Sequence, residues 1–436
     1  MTKIRVIGGG LAGCESAYQL LKRGYEVELF EMRPTVPSPA HQTENLAELV
    51  CSNSLKSEIP STASGTLKEE LNALDCLLLR CGDKARVPAG SALAVDRELF
   101  SKEVEKLLFS YENFTLKREE ITLIDESIPT IIATGPLTSS AMSSEIARLF
   151  GDSDLHFYDA VAPIIDGDTI DKNVAFFGSR YDDESEGDYL NIGMNKEEYE
   201  RFYKELISAE VVTLKSFEQK EIFEGCMPIE VMAKRGSDSI RFGPLKPVGI
   251  KNPKTNEKYY AVVQLRKENA TADAYNIVGF QTNLTFPEQK RVFRLLPSLE
   301  NAEFLRYGVM HRNTFINAPK IISSNLQCKE YPNLFFAGQI TGVEGYVESI
   351  MTGLFAGIYL DRYLNDKEAV LPSENTISGS LLRYVSTKNE NFQPMNANFG
   401  ILPELEVKQK DKKVRKNCYY KRANSDIIDF RNYLDI

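Results

Sequence analysis

The chain has 436 residues, of which 42% are apolar and 26% charged, and a net charge of −10 at neutral pH. That length predicts two domains, the balance is that of an ordinary soluble protein, and the acidic excess argues against a general polyanion binder while leaving local basic patches free to act. No run of about 18 apolar residues predicts a membrane span, and seven cysteines without a C-x-x-C, beside three histidines, predict free thiols and no metal site.

Lys3 to Ile7 is a β-branched run and predicts a buried strand. Gly8, Gly10 and Gly13 then form G-x-G-x-x-G, and Leu11 to Lys22 carries a helical apolar stripe that Gly24 stops. Val27 to Phe30 predicts a second strand, ending at Glu31. Strand, glycine turn, helix and an acid about 20 residues on make the full dinucleotide fingerprint, where the glycines alone would be a weak signal. Gly8 permits the turn, Gly10 lets backbone approach a pyrophosphate, and Gly13 lets the helix lie on the strand. The helix N-terminus, through Leu11 and Ala12, offers N–H groups to phosphate, and Glu31 offers its carboxylate to ribose hydroxyls. The first strand begins almost at the N-terminus, leaving no room for a signal peptide, so a cytoplasmic location is expected.

Residues 34–65, rich in Pro, Ser, Thr and Asn, read as an extended active-site loop containing HQTENLAELVCSNSLKS from His41 to Ser57. Leu67 to Leu79 predicts one amphipathic helix, Val87 to Asp96 a glycine-interrupted turn and strand, Asp96 to Leu108 a helix, and Phe114 to Ile124 paired strands. Pro129 to Gly135, PTIIATG, predicts a further buried parallel strand. From about Asp166 to Pro319, charged helical stretches such as Lys196 to Leu214 alternate with short strands, which predicts an inserted domain. Leu334 to Ala337 (strand) and Val347 to Ile358 (helix) then return to strand-glycine-helix form. The expected fold class is therefore α/β: a discontinuous Rossmann-like FAD-binding fold of the glutathione-reductase type, with an inserted α+β domain. The expected divisions are 1–165, 166–319 on the substrate side, and 320–436. The tail from Lys408 to Arg422 holds eight Lys or Arg against one Asp, and reads equally as a solvated helix face or an RNA contact.

The stretches VIGGGLAGCESAYQL, HQTENLAELVCSNSLKS, VPAGSALAVDRELFS, FEGCMPIEVMAKRG, YAVVQLRKENA, LENAEFLRYGVMHRNTFINAP, FFAGQITGVEGYVES and NFQPMNANFGIL, in this order and approximate spacing, resemble the folate- and FAD-dependent tRNA uracil-5-methyltransferases. Ser91 stands where that family usually has glycine, and YLNIGM, Tyr189 to Met194, departs from its YLNCPM or YLNAPM. These departures fall in the expected substrate region. A paralogous branch that methylates large-subunit (23S) rRNA is similar. Relatives that modify the wobble uridine are considerably longer.

The resemblance implies 5-methyluridine formation in the T-loop of tRNA. The carbon comes from 5,10-methylenetetrahydrofolate through FAD, and NADPH or NADH restores the reduced flavin. C5 of uracil is a weak nucleophile inside a stack. A thiolate adding to C6 activates it, and the base must leave the stack. Cys226 and Cys51 match the catalytic pair, Cys226 as nucleophile and Cys51 as the second thiol, with the roles exchangeable on spacing alone. For FAD the resemblance points to Gly8, Gly9, Gly10, Leu11, Ala12, Gly13, Glu31, Met32, Arg33, Gly135, Gly338, Gln339, Gly342, Val343 and Glu344. Tyr346 is a candidate to stack on the pterin. Lys234, Arg235, Arg241, Lys246, Arg266, Lys290 and Arg291 are candidates for RNA or folate contact, and His311 for a place near the site. Cys14, Cys76, Cys81, Cys328 and Cys418 read as packing residues. No membrane and no obligate protein partner is expected. A plain FAD-dependent oxidoreductase is the rival reading, and it leaves Cys51 and Cys226 without a role.

Overall fold

The computed structural model describes residues 2–38, 40–151, 154–160, 162–181, 187–212, 227–253, 255–269, 271–308, 310–389 and 392–434, with backbone only for 154–160 and 310–312. A parallel sheet holds strands in the spatial order 334–336, 130–132, 3–7, 26–30 and 114–117. Its strands are short, and their apolar residues Ile4, Val6, Val27, Leu29, Ile131, Ile132, Phe335 and Phe336 are all buried, while the polar ones fall mainly towards the 26–30 and 114–117 edge. The late strand Leu334–Phe336 lies beside Thr130–Ile132. The fold is therefore discontinuous, closed by a segment some 200 residues downstream. One face is covered by helices Leu11–Leu21 and Tyr346–Leu364, which cross so closely that a Cβ on Gly353 would overlap the Ala12 carbonyl. Ser16 Oγ donates across this crossing to Gly353 O at 2.9 Å.

A second, antiparallel sheet runs in the order 176–178, 189–194, 261–267, 274–277, 164–166 and 304–306. It carries its own core, in which helix Lys196–Ser208 buries Tyr199, Phe202 and Leu206, a stripe at helical spacing. Asn195 and Glu198 form a reciprocal capping box at that helix's start. The expected continuation to Leu214 fails: the helix stops at Ser208, because Val211 pairs with Leu284, and everything beyond Val212 up to Cys226 lies outside the described residues. A small antiparallel sheet of 54–57, 92–95 and 86–87 stands beside the parallel sheet.

Two further expectations are corrected. The single helix over Leu67–Leu79 is two helices, Ala63–Ala73 and Leu77–Lys84. Asp75 adopts φ +62 between them. The buried Glu15 carboxylate caps the second helix from another element, accepting from Leu77 N at 3.2 Å and Leu78 N at 3.0 Å. Phe114 to Ile124 contributes one strand, Phe114–Lys117, paired parallel to Glu26–Phe30. The residues after Lys117 turn away to line a cleft.

Candidate active site

The cleft lies at the carboxyl ends of the parallel strands, where open α/β sheets bind ligands. It is lined by residues from the glycine turn, from Glu31–Met32, from Glu119–Ile121, from Ala133–Ser139, and from Gly338, Gln339, Tyr346 and Ser349. The glycines at the turn separate into two kinds. A Cβ at Gly13 would overlap the Gly8 carbonyl, so the fold itself demands glycine there. A Cβ at Gly10 would meet nothing within 4 Å. Gly10 lines the cleft, so its lack of a side chain leaves room for a ligand rather than for protein. Gly10 is also the N-cap of helix Leu11–Leu21, which has no side-chain cap and no acid in its first turn. Its first N–H groups and positive dipole end face the cleft at Leu11 and Ala12. A pyrophosphate fits these features.

At one end of the cleft stands Glu31, 5% exposed. Its carboxylate accepts from Gly9 N at 2.9 Å, Arg33 N at 3.0 Å and Arg33 Nε at 2.9 Å. Burial pushes its pKa up, but the hydrogen bond and charge of Arg33, with the two backbone N–H groups, outweigh burial and hold it below the usual carboxylate range. Glu31 is thus an anionic acceptor. Arg33 itself is not in the cleft wall. It also binds Glu48 at 2.8 Å and the carbonyls of Thr43 and Asn45, so it staples the 43–48 loop to Glu31.

The other end is organised around Cys51, which is partly buried. Tyr346 Oη accepts from Cys51 N at 2.7 Å and from Ser52 N at 3.1 Å, and the Tyr346 ring lines the cleft. On either side of Cys51 a guanidinium holds the loop. Arg97 donates to Leu49 O and, at 2.6 Å, to Glu268 Oε2. Arg266 donates to Asn53 Oδ1 and to Ser52 Oγ, each at 2.8 Å. Asn53 Nδ2 completes the junction on Lys267 O at 2.9 Å. The loop of Cys51 is therefore where the second sheet meets the cleft.

Of the residues singled out in the sequence, Gly8, Gly9, Gly10, Leu11, Ala12, Glu31, Met32, Gly135, Gly338, Gln339 and Tyr346 line this one cleft. Gly13, Arg33, Gly342, Val343 and Glu344 lie outside its lining. Gly342 and Glu344 instead pair with Met395, through Met395 N to Gly342 O and Glu344 N to Met395 O, both at 2.9 Å. Cys51 stands one residue beyond the lining residue Val50. Cys226 lies outside the described residues, and the side chain of His311 is likewise not described. Arg266 belongs to the Cys51 loop rather than to an open binding surface. Arg241 stacks on Tyr260 with its Cζ 4.0 Å from the ring centroid, and Lys290 and Arg291 form ion pairs with Glu303, Glu288 and Glu205. Cys14, Cys76, Cys81 and Cys328 are buried; burial pushes the thiols of Cys14, Cys76 and Cys328 up, and that of Cys81 to about 12. The sequence reading missed Glu48, Glu119, Glu120, Thr134, Thr138 and Ser349 as wall residues. A signal existed for Glu119 and Glu120, because they follow a strand parallel to the one that ends at Glu31, so both chains leave the sheet at the same end.

The chain resembles known proteins over nearly its whole length. Residues 3–368 match the family model for glucose inhibited division protein A, GIDA. A protein of Natranaerobius thermophilus named methylenetetrahydrofolate–tRNA-(uracil-5-)-methyltransferase TrmFO is 54% identical, covering 98% of this chain and 99% of its own length. A protein of the same name from Halalkalibacterium halodurans is 53% identical, covering 98% of both chains. The solved structure of Aquifex aeolicus GidA, 16% identical, superposes with a TM-score of 0.69 over 99% of this chain and 73% of that one, which shows the shared fold. With the glycine turn, the acid after the second strand and the discontinuous parallel sheet in place, the chain belongs to the GidA family, among the relatives named TrmFO.

Proposed function

We propose that this protein is an enzyme that methylates C5 of a uridine in tRNA, taking the carbon from 5,10-methylenetetrahydrofolate, with FAD in the cleft and NADPH or NADH as reductant. One observation carries the reading. The Cys51 loop is fastened by Tyr346 to a cleft whose glycine cradle and anionic Glu31 fit FAD, in a chain over half identical to the relatives so named. Gly8 to Ala12 would hold the pyrophosphate, Glu31 and Met32 the adenosine ribose, and Gly135, Gly338 and Gln339 the remainder, with the turn Gly342–Glu344 behind them. Bound there, FAD supplies carbon and hydride transfer.

The protein's own groups do the rest. The Cys226 thiolate adds to C6 of the uracil, so that C5 gains carbanion character and bonds to the incoming carbon. Cys51 takes the C5 proton, and the electron pair of that bond expels the donor nitrogen from the new carbon; hydride addition to that carbon would complete the methyl group and drive out the Cys226 thiolate, which restores the 5,6 double bond. Tyr346 presents its ring to the cleft as a platform for the pterin and anchors Cys51 with its hydroxyl. We assign residues 1–165 and 320–436 to the FAD-binding domain and 166–319 to the substrate side. The basic N-terminal half of helix Lys412–Leu434, which is largely exposed, suits RNA phosphates. Among the described residues no helix is long and apolar enough to cross a membrane, and we place the enzyme with its RNA substrate in the cytoplasm.

The test is transfer of labelled carbon from methylenetetrahydrofolate, with NADPH, to unmodified tRNA and to a large-subunit rRNA fragment in parallel. Label in the tRNA T-loop is expected. Label confined to the rRNA fragment would move the substrate and keep the chemistry. No label in either, from protein that still binds and reduces flavin, would leave a plain oxidoreductase.

A further inference from the structure

Buried and half-buried positive charge gathers around the loop of Cys51. Arg97 comes from helix Arg97–Leu108, Arg266 from strand Ala261–Lys267, and Arg306 from strand Phe304–Arg306. All three lie within electrostatic reach of the Cys51 sulfur. Arg266 is 7% exposed, and Nη2 of Arg97 is buried with no hydrogen-bond partner. Arg306 donates to Ala40 O at 3.2 Å. Among the described residues the other charged or titratable groups of this neighbourhood are the following. Glu268, 6% exposed, binds Arg97 and has an unpartnered Oε1. Glu48 is bound to Arg33. Tyr189 stands near Arg266, and burial keeps the Tyr346 phenol protonated. His41 lies on the same loop, in the cleft wall. Three guanidiniums thus face one carboxylate not otherwise paired, in surroundings where burial disfavours uncompensated charge. Among the described residues positive charge exceeds negative here, and the Cys51 sulfur is where a further negative charge can form.

We propose that Arg97 and Arg266 are positioning residues that hold Cys51 as its thiolate, with Glu268 as the counterweight that limits the effect. Arg97 grips the loop two residues before Cys51 and Arg266 grips it at the two residues after, so the Cys51 segment is held between them. A cationic setting favours a thiolate, and only the thiolate accepts a proton from C5. The inference rests on Cys51 being the thiol that takes this proton.

The experiment needs no turnover. The FAD-bound protein is alkylated with iodoacetamide across a pH series, and modification of the Cys51 peptide is followed by mass spectrometry. Arg97→Gln and Arg266→Gln should each move the midpoint of alkylation up by about one pH unit, which at neutral pH is roughly a tenfold slower reaction. Glu268→Gln should move it down. Arg97→Lys and Arg266→Lys, which keep the charge, should stay near wild type and serve where a Gln variant fails to fold. Midpoints unchanged in folded Gln variants, or Glu268→Gln moving upward, would overturn the proposal. A thiol that responds as expected in a protein that methylates no RNA would sink the function and leave the electrostatics standing.

Discussion

The two ends of the cleft are built on opposite electrostatic plans. At the Glu31 end the wall is acidic, with Glu31, Glu119 and Glu120, and Arg33 behind it is held in ion pairs to Glu31 and to Glu48, which lies between the two ends. At the Cys51 end Arg97, Arg266 and Arg306 gather around a loop with Glu268 as the carboxylate among them. An anionic acceptor that is already satisfied suits neutral hydroxyls of a resident ligand. Excess buried cation suits a group that must become negative during reaction. On the proposed function one end is the holder of FAD and the other the reaction end, and the helix N-terminus at Gly10 lines the cleft with them.

The strongest way to break this contrast is at the holder. Gly10→Ala should weaken or abolish FAD binding, read as loss of the flavin absorbance after purification, while the melting temperature of the apoprotein changes little, because the added Cβ meets no protein atom within 4 Å. Gly13→Ala should fail differently: its methyl overlaps the Gly8 carbonyl, so thermal stability falls as well. Glu31→Ala should weaken FAD about 100-fold in a titration, since two hydrogen bonds to a charged acceptor are worth roughly 3 kcal/mol together.

The next effect sharpens the reaction end. Tyr346→Phe removes the acceptor of two loop N–H groups, each bond worth about 1 kcal/mol. Turnover should fall about tenfold or more with FAD content unchanged. If FAD is lost instead, Tyr346 belongs to the holder.

Away from both ends, Glu70 is fully buried and caps helix Ile377–Tyr384 by accepting from Ile377 N at 2.7 Å and Ser378 N at 2.8 Å. Burial pushes its pKa up to about 7. Between about pH 4.5 and 7 the folded chain keeps a proton that the unfolded chain releases, so this group's contribution to stability is present at the acid side and declines as pH rises through that window. Glu70→Gln should flatten that slope in urea titrations, a difference of up to about 3 kcal/mol across the window. Cys14→Ala should have the smallest effect on chemistry, because that thiol packs in the core and donates to Gly9 O.

The holder was legible in the sequence because its parts are local. Gly8 to Glu31 is one strand-turn-helix-strand unit whose spacing carries its geometry, and the strand at Leu334 announced itself by the same pattern. The reaction end was not, because it is assembled from residues 51, 97, 266, 306 and 346, which only tertiary packing brings together. Arg266 looked like a surface ligand for RNA or folate, since a sequence does not show that Ser52 and Asn53 would cover it. Arg33 looked like a ligand contact because Glu48, its second partner, is 15 residues away on an irregular loop. The break at Asp75 was hidden for a related reason: the cap that starts the next helix is supplied by Glu15, an acid 60 residues earlier.

The central claim is that the cation-rich end does the proton chemistry at C5 of uracil. Its most direct measurement is tritium release from tRNA carrying 5-tritiated uridine, with methylenetetrahydrofolate and NADPH present. The account predicts release by the wild-type protein and none above background by Cys51→Ala, while that variant still binds FAD and oxidises NADPH. Undiminished release by a folded, flavin-bound Cys51→Ala would contradict it and place the proton acceptor elsewhere.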